Sequence, residues 1–307
     1  MTRRTLSRLM TSLVLAAAGA VLSAQTQMPG PPQKSAGGNV SPAFEGWYDN
    51  ADGTHTFLVG YYSRNTQAEV DIPIGPANHF DGPTADLGQP THFLPSRRYG
   101  MFTVTVPKEW GKTQKLTWTL TVNGGTASVP FSMQPDYNVS PFRASEEAVN
   151  GGYNLPPVIR FDAQTKTIFA GPAASLATAL SRTASVGSPM PLDIYADDDA
   201  LYASATAAPM SESRAPVTLL LSKYRGPGEV IFGDARPKLQ VLKGGKPSEP
   251  YSGKASTTVK FSEPGDYMLH VTANDYSGNG GGGSVCCWTT AIVKVAVKNQ
   301  TALTTGQ

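Results

Sequence analysis

The chain has 307 residues, of which 40% are hydrophobic and only 16% are charged, and its formal net charge is +2. With 31 glycines and 25 prolines, this composition favours many short strands joined by tight turns and excludes a helical bundle, which would be rich in Glu, Lys and Leu. The charges form no blocks, so we expect no nucleic-acid partner. The length predicts about two domains.

Residues 1–24 have the features of a cleaved export signal. Arg3, Arg4 and Arg8 form a positive region that precedes an apolar stretch and a small-residue cleavage site. This stretch is too short for a membrane-spanning helix, and no later segment is apolar enough, so we expect no transmembrane anchor. The adjacent arginines also fit a twin-arginine signal, so the general secretory and twin-arginine routes both stay open. We predict a periplasmic or secreted protein whose mature chain starts near Gln25.

The next segments predict a leader and a first β module. Residues 25–39 contain much Pro and Gly and are predicted to be a flexible leader. Residues 40–134 alternate apolar and polar side chains in at least five stretches. These predicted strands span 54–62, 69–74, 101–106, 116–122 and 127–131. Between them, residues 75–99 form a long predicted loop, and loops of that length are often functional.

A second β module follows a predicted linker at residues 135–154. Residues 155–298 contain roughly seven strand patterns separated by turn signals, and residues 299–307 are predicted to be a tail. The predicted strands span 176–183, 190–196, 217–224, 229–232, 256–261, 266–274 and 290–297. The predicted fold class is therefore all-β, with two β-sandwich-like modules of which the second is immunoglobulin-like.

Four stretches of the second module carry a family resemblance. They span residues 217–228, 254–261, 262–267 and 269–275. Their order resembles the PKD-like immunoglobulin-fold repeats of bacterial exported proteins, in which a W-S-K-x-x-G-P-G strand is followed by T-A-T-F-x-x-P-G-x-Y-x-L-x-L-x-A-x-D. Leu221 replaces the Trp that is usual in that family. The resemblance covers about residues 155–298 and implies a fold rather than an activity, because such modules serve as spacers, adhesion units and binding domains.

The first module is similar to uncharacterised bacterial secreted proteins at residues 44–48 (FEGWY) and 89–95 (QPTHFLP). That resemblance implies no activity. Trp47 and Tyr48 could form part of a sugar-binding surface, because aromatic faces suit pyranose rings. The alternative is that they are core residues, as most aromatic side chains are.

Two groups of side chains are candidate metal ligands. His79, Asp81, Asp86 and His92 could bind a divalent ion in the 75–99 loop. The alternative is a polar loop whose side chains bond to its own backbone, since the spacing matches no known signature.

The acidic run at residues 197–199 is the second group. Asp197 and Asp199 could bind Ca²⁺, and Asp275 could add a further ligand. Acidic turns at the ends of sandwiches are also common solvated caps, and the run lacks the order of a calcium-binding loop. We therefore predict no cofactor, with Ca²⁺ or another divalent metal as the alternative.

Cys286 and Cys287 are the only cysteines. In an oxidising compartment they can pair within the chain only as a vicinal disulfide. Two reduced thiols, interchain pairing and a soft-metal site are the alternatives.

No motif frames a catalytic serine among the four histidines and many acidic residues, so we assign no catalytic residue. The sequence favours an exported, non-catalytic binding or structural module of the bacterial envelope or extracellular space. Its partner is unknown, and a cell-envelope protein or a glycan is compatible with the sequence. The alternative is a secreted or periplasmic enzyme or enzyme subunit, with or without assistance from a metal, whose site lies in the 75–99 loop.

Overall fold

The computed structural model describes most of the chain after residue 32. The described residues are 33–142, 144–149, 152–164, 167–172, 174–200, 215–244, 249–275 and 287–300. The predicted signal peptide, residues 25–32 of the predicted leader, Cys286 and residues 301–307 lie outside this part. Every strand given below lies in one compact unit, Ser35–Gln307.

The first module consists of eight strands that precede residue 132. They are β1 (Val40–Asp49), β2 (His55–Ser63), β3 (Val70–Asp71), β4 (Asn78–Phe80), β5 (His92–Phe93), β6 (Ser96–Val106), β7 (Leu116–Val122) and β8 (Gly125–Phe131). They form three antiparallel sheets with the orders β1-β2-β6, β4-β7-β8 and β3-β5.

The core of the first module follows from alternation along its strands. Leu116, Trp118 and Leu120 are buried on β7 while the threonines between them are only partly covered. Trp118 stacks on Phe80 at a ring distance of 5.9 Å. Asn123, with φ of 52°, starts the tight turn that closes the β7–β8 hairpin.

The predicted linker contains regular structure. A short 3-10 helix spans Pro135–Tyr137, and β9 (Ala144–Val149) pairs with β10 (Gly152–Asn154). The isolated bridge between Trp47 and Asn138 attaches the start of this segment to β1.

The described residues of the second module form ten strands in two sheets. They are β11 (Val158–Arg160), β12 (Phe169–Ala170), β13 (Leu180–Ser185), β14 (Met190–Asp198), β15 (Thr218–Arg225), β16 (Val230–Phe232), β17 (Gln240–Lys243), β18 (Tyr251–Phe261), β19 (Gly265–Asn274) and β20 (Trp288–Lys298). One sheet has the order β12-β11-β14-β18-β16, with β17 also pairing with β18. The other has the order β13-β20-β19-β15.

This topology is that of an immunoglobulin-like sandwich. The two sheets correspond to the A-B-E-D and C-F-G sheets of that fold, with β11, β14 and β18 as A, B and E, and with β15, β19 and β20 as C, F and G. β13 pairs with the last strand in parallel, while the other pairings in these two sheets are antiparallel. The inward residues of both sheets share one apolar core, which includes Ile194, Val259 and Leu269.

The all-β fold class is confirmed, and most of the strand patterns match strands. The pattern at 69–74 forms a strand only at Val70–Asp71, and the pattern at 176–183 only from Leu180 onward. β2, β7, β14, β15, β18, β19 and β20 cover segments whose alternation predicts a strand. The structure differs at residues 75–99, where β4, β5 and the start of β6 replace a structureless loop. Residues 35–39 of the predicted leader also hydrogen-bond to the first module, as Ser35 and Asn39 accept from the backbone of Gln67 and Arg64. The domain boundaries stay a prediction.

The two modules contact each other through buried side chains. Tyr224 on β15 and Ile292 on β20 belong to the apolar cluster of the first module and are 1% and 2% exposed. Among the described residues, no helix has the length and apolarity needed to cross a membrane.

Candidate functional site

A cleft of about 660 Å³ lies where the first module meets the edge of the second sandwich. Its walls come from β3, β5 and the start of β6 on one side, and from β15 and β16 on the other. β15 and β16 are the outermost strands of their respective sheets. The site therefore combines two strand edges with side chains from both modules, and we call it the cleft.

One wall of the cleft carries a chain of charged groups around His92. The ring nitrogens Nδ1 and Nε2 lie 2.9 Å from Asp71 Oδ1 and 2.9 Å from Glu69 Oε2, respectively. Lys223 Nζ from the second module lies 3.3 Å from the same Asp71 oxygen. Both ring nitrogens of His92 therefore contact carboxylates of the protein itself.

The local sequence explains this geometry. Glu69 and Asp71 are two residues apart, so they lie on the same face of an extended segment. Asp71 pairs directly with His92 across β3 and β5. The hydrogen bond from His92 is the main cause that lowers the pKa of Glu69. Sequence reasoning selected His92 but missed its carboxylate partners, although the alternating Glu-x-Asp pattern was the available signal.

The other end of the cleft carries two arginines. Arg98 on β6 and Arg236, which follows β16, line both the cleft and an adjoining cavity of about 100 Å³. Neither guanidinium forms a salt bridge within the described part of the chain, whereas Arg97, Arg160 and Arg225 each pair with a carboxylate. Arg98 Nε donates to the backbone oxygen of Pro95 at 3.1 Å.

A buried ion pair supports the strand that carries Arg98. Arg97 Nη2 lies 2.6 Å from Glu45 Oε1, and Arg97 Nη1 donates to the backbone oxygens of Tyr61 and Arg98. Burial raises the pKa of Glu45, against the opposing effect of Arg97. Gly60 leaves room for this pair, because a Cβ at that position would overlap the Glu45 carboxylate and the Arg98 carbonyl.

His270 forms the floor of the adjoining cavity. Its Nε2 lies 3.0 Å from the backbone oxygen of Met101, to which it donates, and its Nδ1 accepts from Thr272 Oγ1 at 3.2 Å. Burial lowers the pKa of His270 to about 4, so the ring is neutral at pH 7. Both of its nitrogens are engaged in the fold, as are those of His92.

Asp86, a predicted metal ligand, instead joins the two modules. Its carboxylate receives Arg225 Nη1 at 2.9 Å and Nη2 at 2.8 Å. Arg225 also donates to the backbone oxygen of Gln89, and the hydroxyl of Tyr224 donates to the backbone oxygen of Gly88 at 2.5 Å. The hydrogen bond from Arg225 is the main cause that lowers the pKa of Asp86. We call Asp86, Gly88, Gln89, Tyr224 and Arg225 the inter-module contact.

The other predicted residues of the first module lie apart from the cleft. Asp81 Oδ1 accepts from the backbone nitrogen of Thr117 at 2.5 Å, and His79 lies on β4 opposite Thr119. Trp47 and Tyr48 are 9% and 7% exposed. Trp47 Nε1 donates to the backbone oxygen of Gln134, and Tyr48 packs edge-on against Phe142. Burial raises the pKa of Tyr48 to about 12.

The acidic run of the second module is also absent from the lining of the cleft. Asp197 Oδ2 lies 2.5 Å from Arg160 Nη2, and Asp199 Oδ2 accepts from the backbone nitrogen of Leu155 at 3.3 Å. Asp275 Oδ2 accepts from the side chain of Asn154. Across the described ranges, no three His, Cys, Asp or Glu side chains gather as a group that could hold a metal ion. The proposed metal ligands stay predictions.

Cys287 is fully buried at the start of β20. Its Sγ lies 3.5 Å from the backbone oxygen of Asn154. Cys286 lies outside the described residues, so the vicinal disulfide stays a prediction.

Comparisons with known proteins give no family for this chain. No protein-family model matches the sequence, and no curated protein matches it. Several solved structures are similar at low scores. The D00-D0 domain of intimin is 12% identical with a TM-score of 0.23, over 85% of this chain and 100% of that one. Domains 4 and 5 of the S-layer protein SbsC are 10% identical with a TM-score of 0.19, over 84% and 97%.

A third similar structure is CfaE, the adhesive subunit of the CFA/I fimbria of enterotoxigenic Escherichia coli. It is 8% identical with a TM-score of 0.20, over 88% of this chain and 81% of that one. With TM-scores this low, the likenesses carry no argument about function, and the immunoglobulin-like assignment rests on the strand order itself.

Proposed function

We propose that this protein is an exported, non-catalytic binding module of the bacterial envelope or extracellular space, and that it holds its ligand in the cleft. The observation that carries the proposal is the position of the cleft, which is bordered by the outermost strands β15 and β16 and is lined by charged groups from both modules. Concave sites where two modules meet are frequent binding sites. In this proposal the second module is PKD-like, in keeping with the sequence resemblance.

The histidine geometry favours binding over catalysis. A general base needs a nitrogen within reach of the substrate proton and free to accept it. In His92 and His270, both ring nitrogens already contact protein groups. Asp86, which the enzymatic alternative would use, is engaged by Arg225. The proposal of a metal-assisted enzyme with its site at residues 75–99 is therefore less well supported.

Site-specific photo-crosslinking tests the cleft as the binding site. Ile231 lines the cleft and is 56% exposed, whereas Val241 lies on β17 outside it and is 58% exposed. A benzophenone amino acid at position 231 in the exported protein is expected to give a higher-mass adduct that position 241 does not give. The absence of an adduct at 231, or the same adduct at both positions, would contradict the proposal.

Export has its own test. N-terminal sequencing of the exported protein is expected to find a start near Gln25. Replacing Arg3 and Arg4 with Lys should block export only if the chain uses the twin-arginine route. A mature chain that keeps the apolar stretch of residues 9–21 would refute the signal assignment.

A further inference from the structure

The backbone of β16 offers hydrogen-bonding groups that the fold leaves unused. Glu229 accepts from the backbone of Ser262, and Gly233 donates to the backbone of Thr258. Both bonds run toward β18, and Ile231 lies between them in the same register. Alternate residues of an antiparallel strand bond to the same neighbour. The backbone groups of Val230 and Phe232 therefore point away from β18.

This free edge borders the cleft. Val230, Ile231 and Phe232 all line it, and β16 is the last strand of its sheet. No backbone hydrogen bond to Val230 or Phe232 from outside their own sheet occurs in the described part of the chain. An exposed strand edge of this kind can pair with an extended peptide, which supplies the matching N–H and C=O groups. A glycan has no such regular ladder, so the edge favours a peptide.

Charged residues near the two ends of β16 favour one orientation of a bound peptide. Glu229 and Glu263 lie at the end where β16 begins, whereas Arg236 follows the end of β16 and Arg98 faces the same cleft. Guanidinium groups bind carboxylates through paired hydrogen bonds. A peptide that runs parallel to β16 places its carboxyl end beside the two arginines.

We propose that the cleft binds an extended peptide that bears a carboxylate, with the peptide adding a strand to the free edge of β16 and its carboxylate pairing with Arg98 and Arg236. This inference rests on the proposed binding function and names the ligand class. The carboxylate is that of an Asp or Glu side chain or that of a free C-terminus.

The first experiment identifies the ligand chemistry. The mature full-length protein is immobilised and exposed to two degenerate octapeptide pools, one with free and one with amidated C-termini. The retained peptides are sequenced by mass spectrometry. Peptides retained by the wild-type protein are expected to carry a carboxylate about ten times more often than peptides retained by R98Q/R236Q. A charge-assisted hydrogen bond contributes about that factor to affinity. Enrichment confined to the free pool identifies a terminal carboxylate, and enrichment in both pools identifies acidic side chains.

A matched variant controls for charge alone. R64Q/R182Q removes the same charge from arginines that do not line the cleft, and it should retain the same peptides as the wild type. Equal retention by R98Q/R236Q and the wild type would overturn the proposal.

The second experiment tests strand addition on the ligand. A retained peptide is N-methylated at alternate residues in each of two registers, and binding is followed by fluorescence anisotropy. Only one register should weaken binding, by about tenfold or more, because only alternate peptide N–H groups face β16. Equal effects of both registers would refute strand addition.

The outcomes separate this inference from the proposed function. If no peptide is retained but an oligogalacturonate binds in a manner that depends on Arg98 and Arg236, the cleft is a binding site and the peptide proposal fails. A concentration-dependent dimer that R98Q/R236Q abolishes, with no peptide retained, would make a second copy the occupant and would also overturn it. If crosslinking at Ile231 fails as well, the proposed function fails with it.

Discussion

The guanidinium of Arg225 and the carboxylate of Asp86 form a two-pronged salt bridge that joins the two modules. The arginine side chain is 12% exposed and the aspartate side chain is 42% exposed. The pairing is therefore only partly shielded from solvent, and its strength should respond to pH and to the removal of either partner.

We predict that Asp86→Asn lowers the free energy of unfolding by about 1 kcal/mol, since partly exposed pairs contribute modestly. Arg225 holds the pKa of Asp86 below its ordinary value of 3.8. The stabilisation is thus complete above that value and is lost as pH falls through the lower pKa of the folded protein. Urea unfolding at several pH values measures this. Glu109→Gln, in an exposed pair with Lys108, is the control and should change little. Equal effects of the two variants at pH 7 would contradict the prediction.

Gly60→Ala should destabilise the protein by about 3 kcal/mol, because the added methyl displaces the buried Glu45–Arg97 pair. Gly111→Ala is the matched control. Its Cβ would meet only Gln114 Oε1, at 3.7 Å, so its effect should stay within about 0.5 kcal/mol. Thermal or urea unfolding compares the two variants. Similar losses of unfolding free energy in both would show that position 60 tolerates a methyl group.

His270 should make stability fall with acidification between its two pKa values. Its pKa is about 4 in the folded protein and 6.5 ordinarily. The unfolded chain binds the proton more readily, so stability is lost as pH falls from 6.5 toward 4. The difference corresponds to about 3 kcal/mol. His270→Gln should remove this part of the pH dependence, and an unchanged slope in urea titrations would show that the ring is protonated within the fold.

Residues 155–298 should fold alone, but less stably than in the full chain. The sandwich has its own core, and the separated module would expose Tyr224 and Ile292. Burial of two side chains of this size contributes about 3 kcal/mol together. The thermal unfolding of the separated module should therefore remain cooperative but occur at a lower temperature. Circular dichroism tests both points. A helical spectrum, or no cooperative transition, would exclude an autonomous module.

We predict a vicinal disulfide between Cys286 and Cys287 in the exported protein. An exported chain would carry both thiols into an oxidising compartment, and no other cysteine is available. Because the ring encloses almost no chain, Cys286→Ser with Cys287→Ser should lose little stability through loop entropy. Intact mass spectrometry should find a monomer lighter than the reduced chain by two hydrogens. Two alkylatable thiols, or a disulfide-linked dimer, would disprove the bond.

Strand periodicity predicted the strands whose alternation is uninterrupted. β7 and β14 alternate cleanly and lie where the sequence places them. β1 escaped prediction because Pro42 and Gly46 interrupt its pattern, and its register shifts between Phe44 and Gly46. β1 is a strand because it pairs with β2, and local sequence does not predict that pairing.

The cleft was less predictable because its parts are distant in sequence. Glu69 and Arg236 line the same cavity, yet no local spacing relates them. Of the predicted site residues that the structure describes, only His92 lines the cleft. Asp86 was selected for its chemistry, and its partner Arg225 lies in the other module. The residue types indicate which side chains form strong contacts. The partners of those side chains depend on the topology, which local sequence does not reveal.

The parallel pairing of β13 with β20 has a consequence for the order of events in biosynthesis. β20 lies between β13 and β19, so the last strand of the described residues fills an interior position rather than an edge. Until residues 288–298 have left the ribosome, β13 lacks its partner β20, the core of the second module stays open, and Ile292 is missing from the core of the first module. Chains that end prematurely before Trp288 would therefore be defective in the cores of both modules.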